Sequence, residues 1–206
     1  EDIESIIKYH SYLKEQIKEK EKENITINYW KILSLKFRNT LIYGSNRQNI
    51  IDFKSHQGTI SITGSNAIGK SAIIKIIMFI LFSSTSYGTT RSNMINYYAT
   101  SKEPLNIELE FIYGDTIYKI SKTAKLINRK NTRDTNITTN FEKYNNQSNQ
   151  WESLNEQDSR YTSKLIEKIL GSDENFTFTN IYSYNFMGTV IHMSEKDRLK
   201  KLTEFF

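Results

Sequence analysis

The 206 residues carry 28 Lys and Arg against 23 Asp and Glu, a net charge of +5, with 37% hydrophobic residues and no cysteine. That is enough apolar material for one core plus an appendage; it excludes disulfides and thiolate metal sites in this piece and fits a reducing, intracellular setting, nuclear or cytoplasmic. The longest apolar run, 73–82, is broken by Lys75 and is too short to span a bilayer, while the basic balance favours a polyanionic partner.

The chain opens on Glu1 without a secretory leader and reads as a piece of a longer polypeptide. Residues 1–24 place Ile3, Ile6, His10, Leu13 and Ile17 at three- and four-residue steps, an amphipathic helix that serves either as a linker or as the end of a coiled coil. His10 belongs to that stripe, and the mixed charges of 18–23 form its solvated face. Apolar and polar residues alternate over 25–37, with shorter extended pieces at 41–44 and 49–53, and 59–63 reads as a further strand. Residues 72–82 follow as a helix and 83–91 as a Ser/Thr/Gly-rich loop. After Pro104, the segments 105–113 and 116–121 flank Gly114-Asp115 as a β-hairpin. The polar, basic stretch 122–155 reads as a solvated loop holding one strand at 137–141. Leu165, Ile166, Ile169 and Leu170 share a helical face stopped by Gly171. An extended aromatic segment over 176–186 precedes a last helix from Ser194, with Asp197 as its capping partner.

The chemistry sits between the 59–63 strand and the 72–82 helix, at Gly64-Ser65-Asn66-Ala67-Ile68-Gly69-Lys70-Ser71. This is G-x-x-x-x-G-K-S in the strand-loop-helix setting that a phosphate-binding loop requires. Gly64 and Gly69 permit torsions that aim consecutive amides, from Ser65 to Ala72, at phosphate oxygens. The helix dipole adds positive charge at the same place. Lys70 is placed to reach the β and γ phosphates of ATP, and the Ser71 hydroxyl to hold Mg2+. Ala67 stands where a glycine is common in such loops, so its amide is placed less freely. The reading is an α/β P-loop NTPase with a mixed sheet and an antiparallel β subdomain.

With these residues in hand, the chain resembles the N-terminal lobe of SMC-type ATPase heads. The resemblance rests on Leu35-Lys36-Phe37-Arg38-Asn39-Thr40, Ile51-Asp52-Phe53, the loop itself, and Phe79-Ile80-Leu81-Phe82. A second block, Ile166 to Gly171 followed by the aromatic segment and Met193 to Leu202, is similar to the family's S-x-x-x-R-x-x-x-L opening of a long coiled coil. More narrowly, the chain is similar to the ATPases of double-strand-break nucleases, the SbcC type and the large subunit of the T-even phage recombination nuclease. The resemblance covers about 26–206 and implies three parts: 1–24, a lobe over 25–193, and a coiled-coil start at 194–206. It implies nucleotide contacts from Arg38 and Asn39, and ATP-dependent pairing of two heads. It also implies a companion C-terminal lobe, DNA, and a metallophosphoesterase nuclease partner.

Two departures qualify it. The glutamine that ligates magnesium in such heads is missing, and Asn185, or else Tyr184, stands in that region as a shorter substitute metal ligand. No apolar run ending in Asp-Glu follows the loop, and no signature loop or switch histidine is found, so the lobe alone holds phosphates but hydrolyses poorly. Lys119, Lys122, Lys125, Arg129, Lys130 and Arg133 space positive charge along the hairpin exit, either as a weak DNA-binding groove or as a solvated loop. Three functions compete: an ATPase gating a DNA-repair nuclease, a nucleotide-gated structural clamp on DNA, and an unrelated P-loop phosphotransferase, which the antiparallel hairpin disfavours.

Overall fold

The computed structural model of this chain describes residues 29–56, 58–84, 91–99, 103–129, 132–181 and 193–196. The expected helix over 1–24, the 85–90 part of the predicted loop, and Asn185 lie outside the described residues. So does nearly all of the last helix, of which Glu195 and Lys196 are helical.

Six strands make one sheet in the order β2-β1-β3-β4-β5-β6, with β1 Trp30–Arg38, β2 Asn49–Asp52, β3 Leu105–Tyr113, β4 Thr116–Arg129, β5 Thr132–Asn145 and β6 Gln150–Ser153. Every pairing among the described strands is antiparallel. Opposed residues share a face, so the register writes out the core directly. Leu35, Leu109, Ile120 and Phe141 form one row across four strands, all fully buried. The neighbouring row is Phe37, Ile107, Lys122 and Thr139. The opposite face is polar, carrying ion pairs Lys36–Glu108 at 2.6 Å and Lys119–Glu142 at 2.8 Å.

The helix α1, Lys70–Phe82, covers the apolar face. It has no internal Gly or Pro, and its Ile73, Ile76, Met78, Phe79, Ile80 and Leu81 are buried, so burial rather than a narrow amphipathic stripe holds it. It ends at Ser83, whose left-handed φ of 55° lets its N–H bond Phe79 O at 2.9 Å. A second helix, α2 (Ser159–Leu170), buries Thr162 and Ile166 and stops at Gly171, φ 82°. Asp158 caps it by accepting from Arg160 N at 2.8 Å.

The structure departs from the sequence reading at four places, the first being 41–44, which belongs to a tight turn closed by Thr40 and Tyr43 rather than to an extended piece. Residues 122–155 are not a solvated loop: β4 runs on to Arg129, and β5 and β6 complete the sheet. Only alternate positions such as Ala124, Ile137 and Phe141 need to be apolar, because the other face is solvated. Residues 176–180 are not extended; they belong to a helix α3, Asp173–Asn180. Ser172 accepts from Asn175 N at 3.2 Å, Asp173 and Glu174 sit at the positive end, and Phe176 wedges against Trp30 (5.0 Å) and Phe82 (5.2 Å). Ser172→Ala is expected to cost about 1 kcal/mol, read as a melting temperature lowered by about 2–4 °C; an unchanged melt would contradict the capping role. Finally, 59–63 is not a strand. Its β-branched residues lack any ladder among the described residues, and Ile60 and Ile62 stand exposed.

Candidate functional site

The chain enters the loop from that unpaired segment and turns through three residues of positive φ: Gly64 at 149°, Ala67 at 63° and Gly69 at 101°. Space as well as torsion demands the glycines. A Cβ at Gly64 would lie 2.3 Å from Ile68 Cδ1; one at Gly69 would lie 2.4 Å from Ile42 Cδ1 and 3.0 Å from Tyr43 Oη. Ala67 does take the left-handed conformation, at a cost of about 1 kcal/mol relative to glycine.

Gly69 is the N-cap of α1 and supplies no side-chain cap, and the first turn holds no acidic residue. The first amides of the helix therefore keep their donors and their partial positive charge for an external acceptor, Ala72 N excepted, which bonds Gly69 O at 2.9 Å. Lys70 folds back over the loop and donates from Nζ to Gly64 O at 2.8 Å and Ser65 O at 2.6 Å. Its ammonium is thereby held at the mouth of the loop by two carbonyls, neither of which neutralises it. Ser71 is exposed on the first turn.

A turn over 39–44 props the loop from the side. Tyr43 donates from Oη to Gly69 O at 3.2 Å, and its ring packs edge-on against Phe37, 4.7 Å between centroids. The turn is stitched to 94–96: Thr40 Oγ1 and Leu41 N both donate to Met94 O, and Asn96 Nδ2 donates to Leu41 O. Asn39 is buried at φ 55°, its Nδ2 donating to Glu103 O at 2.8 Å, while its Oδ1 has no partner. Arg38 ends β1 with a buried Nε that likewise has none. An unpaired buried guanidinium N–H is costly unless something accepts from it.

Ile42 and Tyr43, which support Gly69, escaped the sequence reading. Their signal was there in principle: an Ile-Tyr pair in a short turn, just past a Phe-Arg-Asn strand exit.

Residues 34–205 match the AAA domain family. The chain belongs to that family. Membership implies a nucleotide-binding lobe, and this AAA-domain lobe is SMC- and SbcC-like. The SbcC component of the nuclease SbcCD of Staphylococcus haemolyticus is 29% identical over 93 residues, 44% of this chain and 9% of that protein. An uncharacterised protein of Acanthamoeba polyphaga mimivirus is 28% identical over 191 residues, 86% of this chain and 14% of its own length. The chain thus spans at most 14% of these relatives. A solved chain, described in terms of ATP-driven dimerisation and DNA-stimulated activation of SMC ATPases, shares the fold at a TM-score of 0.50 and 18% identity. The match covers 85% of this chain and 99% of the solved one.

The remaining candidates of the AAA-domain lobe are scattered. Among the described residues no group of three or more His, Asp or Glu could hold a metal ion. Of the lysines read as DNA-facing, Lys122 is buried on the inner row and cannot touch DNA; an inward position on β4 put it there. Lys119 is paired with Glu142 and lies over the Trp151 ring at 4.2 Å. Lys125 is exposed. Arg129 and Arg133 lie on β4 and β5, with side chains outside the described residues, as is Lys130. No helix among the described residues is long and apolar enough to cross a membrane.

Proposed function

We propose that the 64–72 loop binds the phosphates of ATP with Mg2+, and that the lobe is one half of an ATPase acting on DNA in double-strand-break processing. One observation carries this: a glycine-bent loop feeds an α-helix with no cap and no acid in its first turn, with Lys70 seated across the mouth. Such a helix end favours an anion, and the donors fit a triphosphate. The Gly64–Gly69 bend would hold the β-phosphate among main-chain amides. Lys70 would exchange its carbonyl partners for the β and γ oxygens, and Arg38 would offer its unpaired Nε. Bound magnesium would neutralise charge on the β and γ phosphates beside Ser71.

The first turn of α1 carries no carboxylate to orient water, so hydrolysis is assigned to a companion C-terminal lobe. The unpaired 59–63 segment, with Ile60 and Ile62 exposed, would offer that lobe apolar surface to cover. Two such heads would close on ATP, and a metallophosphoesterase-type nuclease would be the partner acting on DNA, a reading supported by the SbcCD relative. The test mixes the chain with the companion lobe. ATP is expected to raise the assembly's mass to that of two heads and to start turnover, and Lys70→Ala to abolish both. Turnover by the isolated chain at the same rate would contradict the split site.

A further inference from the structure

A cleft of about 510 Å3 opens at the other end of α1 from the loop. Its walls are the helix's last residues, the short 3-10 turn Arg91–Met94, strand β5 and the first turns of α2. Arg91, Arg160 and Lys164 line it together with the hydroxyls of Ser83, Thr139 and Ser159. Glu167 is the carboxylate in the lining.

The charges are not equally free. Arg160 is spent on Asp158, with Nη2 2.8 Å and Nε 3.0 Å from Oδ2. Arg91 and Lys164 form no ion pair among the described residues; Lys164 rests over the Tyr161 ring at 5.8 Å. Two uncommitted cations against one carboxylate leave the cleft positive.

The helix ends do not overturn that balance once Lys122 is counted. The C-terminal end of α1 would by itself repel an anion. Lys122 weakens that objection: its buried amino group donates to Phe79 O at 2.8 Å and to Ser83 Oγ at 2.7 Å, so that carbonyl does not face the cleft unpaired. Because Ser83 Oγ accepts from Lys122, its own proton is left to donate outward. The wall opposite is the N-terminal end of α2, where the Asp158 cap is itself paired with Arg160, so that end is close to neutral. A planar carboxylate could use the Arg91 fork alone. Hydroxyls and two cations set around a cavity suit a tetrahedral anion with acceptors on every side.

We infer that this cleft, bounded by Arg91, Lys164 and Ser83, is a binding site for a phosphate group, separate from the nucleotide loop. The group could arrive as free pyrophosphate or as part of a nucleic-acid backbone, and the chemistry of recognition is the same.

The test uses the Lys70→Ala chain, so that the nucleotide loop contributes as little as possible. Pyrophosphate and a short single-stranded DNA oligonucleotide are titrated separately, by calorimetry and by amide chemical shifts. Shifts are expected at Thr139 and across Ser159 to Lys164, and the Arg91→Gln, Lys164→Gln double variant should weaken binding at least tenfold. Both side chains are exposed, so the fold should hold, and shift mapping on the parent chain needs neither variant. Arg91→Lys should recover part of the affinity. Cleft-dependent binding of pyrophosphate identifies a free ligand; of the oligonucleotide alone, a backbone phosphate. Affinities for both ligands unmoved by the double variant, or shifts confined to the 64–72 loop, would overturn the site.

Discussion

Lys122→Met is expected to stabilise the protein at neutral pH and to lose that advantage by about pH 10. Lys122 stands on the inner face of β4, opposite Ile107 and Thr139, with α1 packed above it. Burial, and secondarily the charge of Arg91, lowers its ammonium from the usual 10.5 to about 7. The folded state therefore declines a proton that the unfolded chain accepts between those two values. Stability rises with pH across that window, by up to about 1.4 kcal/mol per pH unit. Taken over the whole window this is roughly 5 kcal/mol, an upper bound, and below about pH 7 the cost is fully present. Methionine keeps the length of the side chain and gives up two hydrogen bonds, at about 1 kcal/mol each. Desolvation outweighs them at pH 7. Above pH 10 the neutral amine still donates to Phe79 O and Ser83 Oγ, and the wild type should be the more stable of the two. Urea melts from pH 6 to pH 10.5 decide the matter. Parallel curves for the two proteins would mean that the buried amine does not titrate as described.

The second large effect is at Gly69. Gly69→Val should cost about 2–4 kcal/mol and at least tenfold in ATP affinity. The φ of 101° is strained for any side chain, more so for a β-branched one, and the new Cβ would press on Ile42 Cδ1 and Tyr43 Oη. The Tyr43 hydroxyl cannot give way without losing its bond to Gly69 O. Relief of the contact would instead swing the helix amides off their line. Gly64→Ala should be milder in stability, because its clash is with the flexible end of Ile68, an exposed side chain. Equal melting curves for Gly69→Val and the parent would contradict the assigned backbone.

The parts of this fold that sequence reveals are those with local causes. The glycine spacing and the largely apolar 73–82 run predicted the loop and α1. The clean alternation of 105–113 around Gly114-Asp115 predicted β3 and the start of β4. The long β4–β5 hairpin was hidden because its Asn, Lys and Thr residues belong to a solvated face, and its few inward residues are explained only by the sheet they meet. Ile60 and Ile62 mislead in the opposite sense: their composition is that of a strand, but pairing is a property of two segments, and no described segment pairs with them. At the site, the loop residues were readable from the motif. The unpaired Nε of Arg38 and the seat that Tyr43 gives Gly69 were not, since the first arises from burial alone and the second from a contact across 26 positions.

The most direct test of a phosphate-gripping loop is a calorimetric titration of the chain with Mg·ATP, repeated with tripolyphosphate, with adenosine, and on the Lys70→Ala variant. ATP should bind, tripolyphosphate should compete for the same site, and adenosine should not. Lys70→Ala should lower ATP affinity about 10- to 100-fold while leaving the melting temperature of the free protein nearly unchanged. Identical ATP affinities in the two chains, or displacement of ATP by adenosine and not by tripolyphosphate, would contradict a site built to hold phosphates.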